Sequence, residues 1–145
     1  MSHVRTYRYH HVVTFDETNL VGNVYFAQYL HWQGHCRERF LAEHAPSVVE
    51  SLKTGELALA TVSCSMDFYK ECFALDEIDV LMSLRDKGGG RITMHFEFRR
   101  DGELVATGTQ VVACLCREDG VHPVDIPAEL DDALSAYAPA PKKLV

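Results

Sequence analysis

The sequence has no long apolar run, no excess of positive charge, no paired-cysteine motif and no internal repeat, and each absence excludes a class of protein. Its longest hydrophobic stretch falls well short of the length that crosses a bilayer. The first residues, MSHVRTYRYHHVV, are polar throughout and carry no apolar leader segment, so a cytoplasmic location is expected. Fourteen lysines and arginines face 21 aspartates and glutamates, a formal net charge of −7. That balance argues against nucleic acid or an anionic membrane as the main partner, although a local basic patch can still dock an acidic one. The five cysteines, at 36, 64, 72, 114 and 116, form no CxxC pair and read as reduced thiols rather than a disulfide framework.

Several catalytic signatures are missing too. Without GxSxG there is no nucleophile elbow. His31 and His35 stand four residues apart on one helical face, but Trp-Gln-Gly lies between them and no third ligand follows, so no metal site is expected. Cys36 reads as a small core filler. Gly88, Gly89 and Gly90 lie between strands rather than before a helix, which removes them as a phosphate cradle.

What remains is one ordinary globular domain of 145 residues, 47% hydrophobic and 24% charged. Residues 4–15, rich in Tyr, Val and Thr, read as a strand. Asp16 to Gly22 is loop, and Asn23 to about Glu43 has helical spacing, contains one glycine and ends before Pro46. Four strand-like runs follow, at 57–69, 78–84, 91–99 and 104–116, with turns at 86–90 and 100–102. Ile126 to Ala136 reads as a short helix with Pro127 in its first turn. The domain is taken as residues 1–136, and 137–145 as a loose tail. This order describes an α+β architecture: one long helix against a curved, five-stranded antiparallel sheet.

Two features of the helix region carry chemistry. At about 100° per residue, Leu30, Gly34, Arg37 and Leu41 fall within about 60° of one another, with Phe26 beside them. Arg37 therefore sits in an apolar stripe, and its neighbours at three and four residues (Gln33, Gly34, Phe40, Leu41) include no carboxylate. A lone charge there costs several kcal/mol unless it finds a distant carboxylate, solvent at a subunit boundary, or an anionic ligand. Gly34 leaves room beside it. The second feature is the junction Thr18-Asn19-Leu20-Val21-Gly22-Asn23-Val24-Tyr25-Phe26, which brings free backbone N–H groups to a helix start, where they suit an oxyanion.

The run from Phe15 through Asn19, Gly22, Tyr25, Phe26, Tyr29 and Leu30, followed by Arg37, closely resembles the hot-dog thioesterases of the 4-hydroxybenzoyl-CoA thioesterase type. In that family the loop usually reads Asp-Thr-Asp-x-x-Gly-x-Val and its second Asp is nucleophile or base; here Asn19 holds that place, and Gly34 holds the place of a helix Glu. With those departures the pattern is similar to the thioesterases that accompany enediyne polyketide synthases. That resemblance implies release of a long polyene β-keto chain from an acyl carrier domain of an iterative polyketide synthase, followed by loss of carbon dioxide. It also implies a homotetramer, a dimer of dimers with sites at dimer interfaces, and no metal or organic cofactor. Asn19, Phe26 (through its N–H) and Arg37 are then the catalytic residues, with Gly22, Tyr29, Leu30 and Gly34 contacting substrate. Glu17 is the nearest alternative base. Two rivals stay open: a hot-dog dehydratase or hydratase, whose His and carboxylate this loop lacks, and a non-catalytic acyl-chain or carrier-protein binding subunit.

Overall fold

The computed structural model describes residues 5–138. The elements in order are β1 (Tyr7–Val12), a single 3-10 turn (Phe15–Glu17), α1 (Gln28–His44), α2 (Pro46–Thr54), β2 (Leu57–Phe68), β3 (Glu77–Gly88), β4 (Arg91–Arg100), β5 (Glu103–Cys116), β6 (His122–Pro123) and α3 (Ala128–Ser135). One antiparallel sheet runs in the order β1-β3-β4-β5-β2, with the two-residue β6 paired to β5. This is the α+β architecture expected, with the sheet curled about one long helix.

The meander follows from alternation and from its turns. Along β4, Ile92, Met94, Phe96 and Phe98 are buried while the residues between them face outward. Gly89 and Gly90 have φ of +60° and +76°, and Asp101 and Gly102 have +51° and +79°. Paired left-handed residues are what a two-residue hairpin demands, because that turn matches the twist of its strands. Helix α1 packs on β1 and β3, so its flank looks across the inner faces of β5 and β2. Strand β2 is a sheet edge, and residues 61–65 along it are exposed.

Three boundaries differ from expectation, each for a physical reason. Helix α1 starts at Gln28 rather than Asn23. Residues 23–25 are held extended instead: Val24 N–H donates to Cys72 O at 2.8 Å and Tyr25 N–H to Glu17 O at 3.0 Å. Pro46 ends α1 but also opens a helix that the sequence reading missed. Proline is well suited to a first helical position, and Glu129 of α3 accepts from Ser47 and Val48 N–H at 3.0 and 3.3 Å, capping α2 from a distance. Last, Tyr137 does not begin a loose tail. It is 5% exposed, its ring packs on Phe40 and Tyr7, its hydroxyl meets His44 Nε2, and its carbonyl accepts from Leu84 N–H. The rest of the expected tail, 139–145, lies outside the described residues. No helix among the described residues is long and apolar enough to cross a membrane.

Tyr137→Ala is expected to lower unfolding free energy by about 3 kcal/mol, the scale of emptying an aromatic core position. Urea unfolding measures it, and an unchanged midpoint would mean that Tyr137 is the start of the tail after all.

Candidate functional site

The site begins with a buried carboxylate. Glu17 is 8% exposed. Its Oε1 accepts from Thr14 N–H and His11 Nε2, both at 2.8 Å, and its Oε2 accepts from the Trp32 indole at 2.6 Å. Burial on its own raises this carboxyl, but the bonds from Thr14, Trp32 and His11 outweigh it and hold the group below the ordinary carboxylate range. Its acceptor sites face inward and are committed, so Glu17 is an anchor and not the free base that its sequence position suggested.

The anchored strand-to-turn segment then projects the loop. Asn19 N–H donates to Asn23 O at 2.8 Å, Gly22 N–H to Asn19 O at 2.9 Å, and the Asn19 amide to Asn23 Oδ1 at 3.3 Å. Gly22 closes the turn at φ +95°, where a side chain is strained. The Asn19 side chain is exposed. Past this turn the chain enters α1 through Ala27, which supplies no side-chain cap. Phe26 and Ala27 N–H have no acceptor among the described residues. Two free donors at a helix start, two turns of backbone from an exposed amide, make an anion-stabilising corner.

Beside the start of α1 lies a cavity of about 320 Å³ lined by the rings of Phe26, Tyr29, Phe68 and Tyr69, by Asn23 and Val24, and by Lys70 and Glu71, whose carboxylate accepts from the Asn23 amide at 3.3 Å. Tyr29 is the packed floor, stacked edgewise on Phe68 and Phe98. Burial and the Cys72 thiol push its phenol upward, so it stays protonated. Cys36 is fully buried, and burial lifts its thiol to about 12, which leaves it no thiolate for nucleophilic work.

The expected apolar stripe is only half buried. The buried face of α1 is centred on Tyr29, Trp32, Gln33, Cys36 and Phe40, about 100° round the helix from the line through Leu30, Gly34, Arg37 and Leu41. Of that line, Leu41 is buried and, with Arg37, borders Leu59, Ile92, Met94 and Val112 of the sheet, whereas Leu30 and Gly34 turn away. Leu30 is 38% exposed, and a Cβ at Gly34 would meet open space. Arg37 lies on the boundary between the two faces. It makes no ion pair among the described residues; Nη1 donates to Gln110 Oε1 at 3.1 Å, and Nε is buried without a partner. Burial lowers its pKa, with Glu38 opposing weakly.

The structure places Phe26 and Tyr29 in the wall of one cavity at the start of α1, and Asn19 and Gly22 in the exposed turn bonded to Asn23 of the same wall. Leu30, Gly34 and Arg37 form a separate flank, with Arg37 nine residues into the helix and so about 14 Å from its start. The sequence reading missed Gln110, whose only signal was an amide in a run of small and apolar residues, and Gln33, which lies in the helical repeat of the buried face. It also missed the His11–Glu17–Trp32 anchor, whose members are spread over 22 residues.

A profile of the thioesterase-like superfamily matches residues 13–134. A 1,4-dihydroxy-2-naphthoyl-CoA hydrolase of Prochlorococcus marinus (strain MIT 9211) is 26% identical over 102 residues, 66% of this chain and 68% of that protein. The corresponding hydrolase of Synechococcus elongatus is 25% identical over 113 residues, 75% of this chain and 81% of its own length. The dynemicin thioesterase, whose crystal structures report induced-fit and allosteric effects on polyene binding, superposes with a TM-score of 0.88 at 57% identity, covering 92% of this chain and 97% of that one. A 1,4-dihydroxy-2-naphthoyl-CoA thioesterase from Synechocystis shares the fold, with a TM-score of 0.80 at 23% identity over 90% of this chain and 96% of that one.

Glu17→Gln keeps the shape but turns an NH₂ toward one of three donors, and is expected to cost about 3 kcal/mol. Because the folded carboxyl sits below its unfolded value, the anchor contributes fully above about pH 4.3 and fades as pH falls through the folded value. Melting curves of wild type and variant should differ most near neutrality and converge in acid; a gap that persists in acid would remove ionised Glu17 as its cause.

Proposed function

The chain belongs to the thioesterase-like superfamily and is a thioester hydrolase of the hot-dog fold, and from that premise we propose that it releases a long polyene β-keto chain from the acyl carrier domain of an iterative polyketide synthase. The observation that carries this reading is the aromatic-walled cavity beneath the Asn19–Phe26 corner. A polyene is long, flat and apolar, and ring faces suit it. The 57% identity with a thioesterase described with bound polyene supports the same substrate class.

Hydrolysis needs water aimed at the thioester carbon and donors aimed at the oxygen that gains charge. Phe26 N–H and the uncapped helix start supply the donors. Asn19 orients the water or the carbonyl through its amide. It takes no proton, Glu17 is committed to its three donors, and Glu71 in the cavity wall bonds the Asn23 amide; attack by hydroxide or a weakly polarised water then makes turnover slow. Arg37 stabilises negative charge on the β-keto acid carboxylate or its enolate. A β-keto oxygen lies only a few ångströms from its thioester carbon, whereas Arg37 of the same protomer is about 14 Å down the helix. The two groups meet one thioester when Arg37 comes from a second copy, so the working unit is a homo-oligomer, in our reading a dimer of dimers. The exposed β2 edge and the apolar loop residues Phe15, Leu20 and Val21, 73%, 107% and 84% exposed, are surfaces that such pairing covers.

Incubation with the loaded carrier domain and mass analysis of what is released tests the reaction: free product with turnover is expected, while stoichiometric binding without release would make the protein an acyl-chain binder. Long-chain thioesters should far outrun acetyl thioester, and equal rates would remove the channel. Arg37→Ala should melt normally yet lose about 100- to 1000-fold in single-turnover rate, with lysine a poor rescue. Co-assembled Asn19→Ala and Arg37→Ala protomers should regain about a quarter of the wild-type sites if each site spans two copies; no recovery would place both residues within one protomer.

A further inference from the structure

Three side chains between the exposed turn and the cavity wall form one chain of hydrogen bonds. Asn19 Nδ2 donates to Asn23 Oδ1 at 3.3 Å, and Asn23 Nδ2 donates to Glu71 Oε1, also at 3.3 Å. Asn23 and Glu71 both line the cavity beside the start of α1. Backbone contacts hold the two segments that carry them side by side. Val24 N–H donates to Cys72 O at 2.8 Å, and Asn23 pairs with Phe73 as an isolated bridge. Arg100 Nη1 donates to Glu71 O at 2.8 Å and to Asp76 Oδ2 at 3.1 Å. An asparagine amide has nearly the same shape either way round, so the donor or acceptor character of its neighbours chooses its orientation. A carboxylate can only accept. It draws the NH₂ of Asn23, which turns Asn23 Oδ1 toward Asn19 and so draws the NH₂ of Asn19. Asn19 Oδ1 is left over, and it accepts nothing among the described residues.

We propose that Glu71 is a positioning residue for hydrolysis: acting through Asn23, it fixes the Asn19 amide with Oδ1 facing the reaction, an inference that rests on the thioesterase reading above. The direction matters because the two ends of the amide treat water oppositely. Oδ1 takes one O–H of a water and leaves the oxygen lone pairs free for the thioester carbon, whereas an NH₂ occupies a lone pair with its own N–H. The arrangement assigns Asn19 to the water and leaves the carbonyl oxygen to Phe26 N–H. Glu71 takes no proton in this role; its charge orders two neutral amides. A hydrogen bond to a charged acceptor is about twice as strong as one between neutral groups, so the carboxylate end sets the sense of the whole chain.

Glu71→Gln and Glu71→Lys, each made in wild type and in Asn19→Asp, test this by steady-state hydrolysis of a long-chain β-keto thioester. Glu71 is exposed, so the variants should melt with their parents. Glutamine presents either end, both senses of the chain become populated, and kcat in wild type should fall about twofold. Lysine can only donate. It reverses Asn23, which then donates to Asn19 Oδ1 and turns the Asn19 NH₂ outward. Glu71→Lys should therefore lower kcat about tenfold, the scale of one hydrogen bond, without raising KM. A positive charge acting through its field alone would do the opposite, because the transition state gains negative charge. In Asn19→Asp both ends of the chain are acceptors and the Asn23 NH₂ faces only one of them, so there Glu71→Lys should raise kcat. A fall in wild type with a rise in Asn19→Asp sustains the proposal, and any other pattern overturns it. If wild type releases no product from any thioester, the thioesterase reading itself fails. The NMR contact between the Asn19 NH₂ protons and the Asn23 side chain then decides: its loss in Glu71→Lys sustains the ordering role of Glu71, and its persistence overturns it.

Discussion

The carboxylate of Glu17 is the fixed point on which the site is built. Three donors from three places converge on it: a backbone N–H of its own turn, an imidazole of β1 and the indole of α1. Because Trp32 is fully buried, its indole N–H would be stranded without that oxygen, and the stranding of either partner is what makes the arrangement mutually obligatory. The contact fixes where the loop leaves the core relative to the helix it will enter. Tyr25 N–H then bonds to the Glu17 carbonyl itself, so the Asn19–Phe26 corner is measured from the anchor on both sides of its turn. A donor pair for an oxyanion is useful only when it is already in place before charge develops, and this anchor is what places it.

The same carboxylate sets the chemistry that is absent. The site corner holds the Asn19 amide where the family pattern read in the sequence has an acid, Glu17 is spent on structure, and Glu71 in the cavity wall bonds the Asn23 amide. What remains is electrostatic: free N–H groups, the positive end of a 17-residue helix, and an arginine with no counter-ion among the described residues. In the proposed reading such a site accelerates hydrolysis by stabilising charge rather than by moving protons. A thioester suits that limitation, because its leaving group departs readily as a thiolate and needs little protonation.

The fold was legible because the strands alternate and the hairpin turns carry their left-handed residues in plain view. The loop-to-helix corner was legible as a motif. What could not be read was anything fixed by long-range pairing. The start of α1 is decided by Cys72 O claiming Val24 N–H, 48 residues away in sequence. Helix α2 depends on a cap from Glu129. Glu17 was read as the nearest alternative base because nothing in the loop sequence announces the 3-10 turn that points it inward. The stripe through Leu30 and Arg37 was placed facing the sheet because helical spacing gives the periodicity of a face and not its rotation about the axis; Trp32, clamped to Glu17, decides that rotation.

That rotation leaves Arg37 on the shoulder of the helix, half in the core. Arginine stays charged throughout the physiological range, so a neutral Gln110 oxygen is a poor substitute for the water it has lost. A ligand with a neutral ketone would relieve little of this cost, and one carrying a carboxylate or an enolate would relieve much more. Interactions that strengthen as charge appears lower the barrier more than they tighten binding. In the proposed reading an unpaired guanidinium beside a glycine is thus a weak trap for substrate and a strong one for the charged species formed from it. Gly34 fits the same proposal: a glycine inside a helix gives up about 0.5–1 kcal/mol of stability relative to alanine, and since its missing Cβ would meet open space rather than protein, close packing within the protomer does not account for that loss, and the proposed occupant of the flank gives the missing side chain a use.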